Sequence, residues 1–359
     1  MSLTKYLSRF IWAATSLASL TALNVYAEEG NVTVYGKARA SVNVVDNGAN
    51  NLTSVANNNS RLGIKGEEEL GSNLKAIFQF ETLINLDDGA GTTGTLFGTG
   101  RNSYVGLSGA FGAVVLGLYD TPYKESTSKL DVAPDSLGDY NTIIGDTGNN
   151  NTSAEYDRRE PNTVNYWSPK FDNVLRGFGF KFQYRPDESS TASQDRYSAA
   201  ASYENGPYYI SLGHEIHHDE TAATRDTKGT KLGLAYTWGQ STKLGFVYEI
   251  LSEQGAATAF DRNAWYLRVA HKIENNTFKL AYGHAGDNDL IGDSGADFYT
   301  AGITHHLSKR TELYVLYARV NNDTNARYVL GTNGGSSATL PAAVGQNISG
   351  FSAGVNYDF

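Results

Sequence analysis

Apolar and polar side chains alternate with a period of two through most of the chain. The segment FGFKFQYR, residues 178–185, puts four aromatic rings on one face and glycine and polar residues on the other. The last segment, FSAGVNYDF at residues 351–359, alternates in the same way and ends with Phe359 on its apolar face. One apolar face and one polar face are the pattern of a half-buried β-strand. The chain is therefore predicted to be all-β.

The strands and their connections form a regular series. Short turns such as LGSN, ENGP and LSKRT alternate with longer polar loops near residues 43–59, 86–99, 120–161, 186–195, 217–229, 251–262, 284–296 and 321–347. Sixteen alternating segments start near residues 32, 60, 73, 100, 112, 162, 177, 196, 207, 230, 241, 263, 275, 297, 311 and 348. An even strand count with short turns at one end and long loops at the other indicates a membrane barrel. We predict a 16-stranded antiparallel transmembrane β-barrel that forms one domain over residues 28–359.

The first residues indicate export. Lys5 and Arg9 precede the apolar run FIWAATSLASLTAL, and small residues follow at VYA, residues 25–27. This arrangement is typical of a secretory signal peptide, predicted here as residues 1–27. The run is too short, and carries too many hydroxyl side chains, for a membrane helix.

Composition narrows the class of protein. The net charge of −9 argues against a nucleic-acid partner. The mean hydropathy of −0.38 suits a soluble protein, yet a membrane barrel also keeps a low mean because only alternate residues face lipid. A soluble or surface-exposed β-sandwich binding protein therefore remains the alternative from another class. Aromatic pairs near strand ends, such as Tyr166 with Trp167, favour the barrel because aromatic girdles mark membrane interfaces.

One long connection lacks any strand pattern. It covers residues 120–161 and includes the acidic stretch LDVAPDSLGDY at residues 130–140. A long structureless loop in a compact domain is usually functional or a sign of a wrong fold assignment.

Five blocks of the chain resemble the general diffusion porins of the Gram-negative outer membrane. They follow one another in order across the mature chain: SRLGIKGEEELGSNLKAIFQFE, RNSYVGLSGAFGAVVLGLYDTPY, RREPNTVNYWSPKF, HHLSKRTELYVLYARVNN and the terminal NYDF. The resemblance implies a homotrimer in the bacterial outer membrane, reached by export through the periplasm. It also implies that the third external loop, residues 120–161, folds into the barrel and narrows the pore.

The resemblance further implies which residues face each other at the constriction. The acids of the family's loop pattern match Asp131, Asp135 and Asp139, and its wall arginines match Arg61, Arg101 and one of the pair Arg158 and Arg159. One position departs from the family pattern: Gly117 is followed by Leu118 where family members often have arginine. Ion preference therefore does not carry over directly.

Further charges are predicted to face the lumen. Arg61 and Lys65 share the strand face opposite Leu62 and Ile64. We predict that this face is turned to the lumen, and that four further charged residues also face the lumen: Lys37, Arg39, Lys75 and Glu81. Opposed acids and guanidinium groups across a narrow aqueous gap create a transverse field that favours small polar solutes.

The predicted function is a water-filled channel for passive diffusion of small hydrophilic solutes and ions, and the protein is predicted not to be an enzyme. The alternative within the class is a substrate-specific porin for a sugar or an organic anion. A sugar channel needs an aromatic track along its lumen, whereas the clearest strands put their aromatic residues on the apolar face. The predicted partners are outer-membrane lipid and lipopolysaccharide. No cofactor is expected, apart from divalent cations held loosely at acidic external loops.

Two short motifs carry little weight. GDSG at residues 292–295 is shared with serine proteases, but no matching His and Asp contexts accompany it. The run HEIHHDE at residues 214–220 contains metal-binding side chain types, yet a solvated loop is the more frequent setting for such a run.

Overall fold

The computed structural model describes residues 31–87, 96–145, 156–171, 173, 175–188, 194–218, 226–254, 261–331 and 341–359. The predicted signal peptide, residues 1–27, lies outside the described residues. The described chain folds into one antiparallel sheet of eighteen strand segments. Their bounds are β1 Asn31–Asp46, β2 Asn51–Asn57, β3 Arg61–Gly71, β4 Leu74–Ile84, β5 Phe97–Gly100, β6 Ser103–Gly109, β7 Gly112–Asp120, β8 Arg159–Trp167, β9 Phe178–Arg185, β10 Arg196–Asn205, β11 Tyr208–His217, β12 Asp226–Trp238, β13 Thr242–Gln254, β14 Asp261–Ile273, β15 Asn276–Ala285, β16 Ala296–His306, β17 Thr311–Asn322 and β18 Ile348–Asp358.

The eighteen segments make sixteen barrel strands, because two strands are interrupted. Segments β2 and β3 both pair with β1, one above the other, and β5 and β6 both pair with β4. The predicted count of sixteen is confirmed.

Pairing between the first and last strands closes the barrel. Strand β1 pairs with β18 from Lys37 opposite Asp358 to Asp46 opposite Ser349. The Gly36 amide donates to the Phe359 carbonyl over 2.9 Å, and the Phe359 amide donates back over 3.0 Å. Among the described strands, closure leaves none at an unpaired sheet edge, as a strand structure in a bilayer requires.

The alternation seen in the sequence separates the two faces of the wall. Side chains such as Val34, Phe80 and Leu280 are 61%, 59% and 61% exposed on the outer surface. Exposed apolar area on this scale marks a surface that meets lipid. Among the described residues, no helix combines the length and hydropathy that crossing a bilayer requires.

The predicted extent of the first external loop is wrong. We expected a loop near residues 43–59, but β1 continues to Asp46 and β2 begins at Asn51. The segment looks like a loop in the sequence because the inward positions Ser41 and Asn43 are polar and buried. The outward positions Val42 and Val44 are half exposed, so strand alternation persists through this polar stretch.

Candidate functional site

The connection between β7 and β8, residues 121–158 and called here loop 3, enters the barrel rather than leaving it. Its described parts are residues 121–145 and 156–158. It begins with the short helix α1, Pro122–Thr127, in which the Thr121 hydroxyl caps the amide of Lys124 at 3.2 Å. Proline at the first helical position has the required φ and needs no amide donor, so the helix begins at this point.

Apolar contacts hold loop 3 against the inner wall. Leu130, Leu137 and Ile143 are each at most 3% exposed and pack in one cluster with wall residues such as Tyr266 and Phe298. Full burial of one such side chain contributes roughly 1.5–3 kcal/mol, which explains why this loop is not extended into solvent. The inward-folded third loop predicted from the sequence is confirmed.

Asp135 lies at the tip of loop 3 and faces the arginines of the wall. Its Oδ2 is 2.9 Å from an amino group of Arg39 and 3.7 Å from one of Arg61. Its Oδ1 accepts a 2.7 Å hydrogen bond from the Asn59 side chain. The residue has a φ of 59°, in the left-handed region that Asp tolerates better than most residues.

Arg101 is held next to this contact by a second set of bonds. Its Nε donates to Glu81 at 2.7 Å, and one of its terminal nitrogens donates to the side-chain Oδ1 of Asn59 at 2.6 Å. The Tyr35 hydroxyl donates to the other oxygen of Glu81 at 2.9 Å. Asn59 therefore joins the Asp135 contact to the Arg101 contact, a role that the sequence did not reveal.

The adjacent arginines differ in position. Arg159 binds Asp120 at 3.1 Å and Asn102 at 2.7 Å, and it interacts electrostatically with Arg101. Arg158 instead contacts Glu160 at 3.0 Å, which also binds two further arginines from β9 and β10. The geometry thus groups Arg159, and not Arg158, with the arginines around Asp135.

The other two loop acids organise the loop itself. The Asp131 carboxylate accepts the Ala133 amide at 2.9 Å, and Asp139 accepts the amides of Asp135 and Asn141, each at 2.9 Å. Burial, reinforced by the neighbouring Asp139, raises the pKa of Asp131 well above its usual value. A raised pKa favours the uncharged form of the Asp131 carboxyl.

These groups surround a single opening. A cavity of about 180 Å³ is lined by Arg61, Arg101, Asp131, Asp135 and Asp139, together with Asp120 and Lys124. All three predicted loop acids and two of the predicted arginines are thus brought together, although Asp135 is the loop acid that pairs with arginine.

The remaining predicted lumen charges lie at the same wall but pair locally. Lys37 is 3.8 Å from Asp358, and the Lys65 ammonium lies 5.4 Å from the centre of the Tyr35 ring. Lys75 pairs with Glu67 at 2.8 Å and with Glu69 at 2.6 Å.

Behind loop 3 lies a buried charged network that the sequence did not reveal. Lys231 pairs with Asp157, and Arg262 pairs with Glu249 at 2.9 Å, with all four side chains at most 2% exposed. The Glu249 carboxylate accepts the Tyr123 hydroxyl at 2.6 Å and the loop 3 amide of residue 145 at 2.9 Å. Strand alternation identifies these positions as inward but cannot show that a loop covers them.

Aromatic side chains also line part of the inner wall, which corrects an expectation from the clearest strands. Tyr104 and Trp167 meet at 5.3 Å between ring centres, and Tyr119 and Trp167 meet at 4.9 Å. The Lys181 ammonium is 5.5 Å from Trp167 and binds Glu125 of α1. Because the rings of Tyr104 and Trp167 pack edge to face at 90°, these residues form a packed cluster under loop 3 rather than an open row.

Comparison with known proteins agrees with this architecture. A family model described as Gram-negative porin matches residues 13–325. The outer membrane porin protein 32 of Delftia acidovorans is 28% identical, over 96% of this chain and 98% of its own length. The anion-selective porin from Comamonas acidovorans has 28% identity and a TM-score of 0.79, over 92% of this chain and 100% of that one. The trimer form of OmpT from Vibrio cholerae has a TM-score of 0.67 at 14% identity, over 92% of this chain and 100% of that one, and so shows the fold alone.

Proposed function

The chain belongs to the Gram-negative porin family, and on this premise we propose that Asp135 and the arginines around it form the ion-selecting constriction of its channel. The protein is an outer-membrane channel for passive diffusion and not an enzyme. The contact of Asp135 with Arg39 at 2.9 Å carries the proposal, because it brings an acid of the inward-folded loop directly against a cation of the barrel wall.

The channel is proposed to prefer anions modestly. Asp135 faces both Arg39 and Arg61, and Asp120 faces both Lys124 and Arg159, so these carboxylates meet an excess of cations. A charge about 8 Å from a passing ion contributes roughly 0.5 kcal/mol in water and more where water is sparse. The Comamonas porin is named as anion-selective, which supports a preference for anions in this channel as well.

Neutralising the loop acid tests the proposal. Asp135→Asn removes the carboxylate that Arg39 and Arg61 share, so the anion-to-cation permeability ratio should rise roughly twofold. The measurement is the reversal potential of the purified protein in a planar bilayer under a KCl gradient. Asp289→Asn, on an exposed external loop, is the matched control and should leave the ratio unchanged. Equal reversal potentials for wild type and Asp135→Asn would refute the assignment.

The assembly is proposed to be a homotrimer, as the OmpT structure in trimer form is. Insertion of one particle into a bilayer should then give three equal conductance steps. Single steps of one size that never group in threes would contradict a trimer of open channels.

The partners proposed at the outer rim are lipid and lipopolysaccharide, with divalent cations held loosely at acidic loops. Asp323, just after β17, interacts electrostatically with Asp287 and Asp293 of the β15–β16 connection and with Asp297 at the start of β16. Within the described residues, however, no group of three or more His, Cys, Asp or Glu side chains has metal-site geometry. Chelator should therefore lower the heat stability of the protein in native lipid but not in detergent, and an equal effect in both would contradict lipid bridging.

A further inference from the structure

A second cavity lies under the tip of loop 3 and shares Pro134 and Asp135 with the opening lined by the arginines at 61 and 101. Its volume is about 100 Å³, and it is bounded by residues 132–136 of the loop, by strands β15 to β18 and by Arg39 of β1. For comparison, a cavity of about 150 Å³ admits benzene. This cavity is smaller, so a molecule of about six non-hydrogen atoms occupies it only with part of the molecule extending out of its open side.

The lining of this cavity includes the Arg39–Asp135 ion pair, whose two members are 2.9 Å apart. Apart from that pair, it combines two opposite charges with apolar surface. Lys279 and Glu312 reach it from β15 and β17, and Val132, Ala133 and Leu316 provide apolar contacts. Both charged residues occupy inward positions, since Lys279 pairs across the sheet with Gly302 and alternates with the outward, 61% exposed Leu280.

Lys279 is a cation without a close partner. Among the described residues, no carboxylate lies within 4.0 Å of its ammonium, and no hydrogen bond to it is formed. Arg268 stands near it on the adjacent strand, and the buried Arg268 Nε also has no hydrogen-bond partner among those residues. A partly buried positive site of this kind favours an incoming carboxylate.

Glu312 supplies the opposite charge at the same cavity. It is close enough to Lys279 for electrostatic interaction but is not paired with it, and one of its oxygens binds His306 at 3.1 Å. A simple organic anion would meet both the attraction of Lys279 and the repulsion of Glu312. A zwitterion with an ammonium group beside its carboxylate meets attraction from both.

We propose that this cavity binds the zwitterion of a small aliphatic amino acid, with its carboxylate on Lys279 and its ammonium toward Glu312. The side chain of the amino acid lies against Val132 and Leu316. The inference rests on the proposed function, since the ligand reaches the cavity through the lumen. It adds a solute subsite immediately beside the ion-selecting constriction.

Three small probes separate the proposal from general attraction of ions. L-alanine carries both charges. Propionate carries only the carboxylate, and ethylamine carries only the ammonium group. Each is added at pH 7 to the wild-type protein in a planar bilayer, and its apparent affinity is obtained from concentration-dependent current fluctuations. Alanine should bind more tightly than either single-charge probe. Equal fluctuations from all three probes, or none from alanine, would overturn the proposal without requiring any variant.

Two variants assign the charges. Lys279→Met should weaken alanine binding roughly tenfold, as expected for loss of a charged hydrogen bond. Glu312→Gln should weaken alanine binding while leaving propionate binding equal or stronger. Lys243→Met is the matched control, since Lys243 lies opposite Ala270 on the same inner wall but outside the cavity. Unchanged alanine affinity in Lys279→Met would refute the site.

The same recordings keep this proposal separate from that of the constriction. Conductance and reversal potential in KCl alone report the constriction and need no alanine. A wild-type channel with the expected KCl selectivity but no response to alanine would contradict the subsite only.

Discussion

At the scale of single residues, the site depends on what each carboxylate contacts. Asp135 meets guanidinium groups, whereas Asp131 and Asp139 accept backbone amides of the loop. The sequence spacing marks all three acids as a group, but only their contacts separate the acid that pairs with arginine from the two that also hold the backbone of the loop. The selectivity of the channel should therefore respond differently to each substitution.

The first residue-scale prediction concerns Arg39. Arg39→Gln removes a cation that is 2.9 Å from Asp135, so the preference for anions should fall roughly twofold. The permeability ratio from reversal potentials measures this change. Lys309→Gln, in an exposed turn, serves as the control. A larger effect from Lys309→Gln than from Arg39→Gln would contradict the assignment of Arg39.

The second residue-scale prediction concerns pH. The pKa of Asp131 is raised because the carboxyl is buried and lies near Asp139. A raised pKa favours the protonated form in the folded loop, so its contribution to stability is complete at low pH and lost as pH rises through the folded pKa. As pH falls through that raised value, Asp131 loses its charge and anion permeability should increase.

Comparison with Asp131→Asn isolates this titration. The variant should lack that part of the increase in anion permeability, measured as reversal potential against pH. Identical pH profiles for the two proteins would show that Asp131 does not titrate in this range.

At the scale of elements, loop 3 is attached to the wall by both apolar packing and buried charge. Lys231 and Asp157 are fully buried partners, and Asp157 also accepts the Tyr140 hydroxyl at 3.0 Å and the Asn141 side chain at 2.9 Å. Buried pairs contribute little net stability, but removal of one partner leaves an uncompensated charge.

The element-scale prediction follows from that asymmetry. Lys231→Met should destabilise the attachment of loop 3 by about 3–5 kcal/mol, because Asp157 remains buried without its cation. The expected results are noisier single-channel currents and a lower temperature of unfolding in detergent. The double variant Lys231→Met with Asp157→Asn should recover much of the lost stability, because it no longer buries an unpaired charge.

An exposed pair provides the matched control for this variant. Lys129 and Glu204 are 2.6 Å apart, with side chains 45% and 63% exposed. Lys129→Met should change stability by no more than about 1 kcal/mol, because exposed pairs contribute little. Equal losses from Lys129→Met and Lys231→Met would show that the buried network does not hold the loop.

At the scale of the whole molecule, stability depends on closure of the sheet. The final residue closes it, since Phe359 exchanges two backbone hydrogen bonds with Gly36. A β-carbon at position 36 would meet the Phe359 ring and lie 2.8 Å from the carbonyl oxygen of Arg61. Glycine is therefore needed there for close approach of the first and last strands.

Substitution of that glycine gives the whole-molecule prediction. Gly36→Val should lower the yield of folded barrel, because the added side chain displaces Phe359 at the seam. The folded fraction is measured as the heat-modifiable band on unheated gels. Ala38→Val, an outward position on the same strand, should fold normally. Normal folding of Gly36→Val would mean that the seam tolerates displacement of the terminal ring.

Much of the fold was predictable because strand alternation is a local property. The sixteen strands and the inward-facing Arg61 follow from a period of two residues. The first loop was misjudged because polar inward residues look the same as loop residues in a sequence. Resemblance to a known family, rather than periodicity, identified the loop that enters the barrel.

The sequence by itself determined the strand order, the lipid-facing surface and the set of charges available to the lumen, since each depends on neighbours along the chain. Only the tertiary structure decided which of these charges meet. Asp135 and Arg39 are 96 positions apart, and Tyr123 and Glu249 are 126 apart. Such contacts depend on how a closed wall and a folded loop meet in space, and this is why the loop acids could be found together but not assigned separate roles.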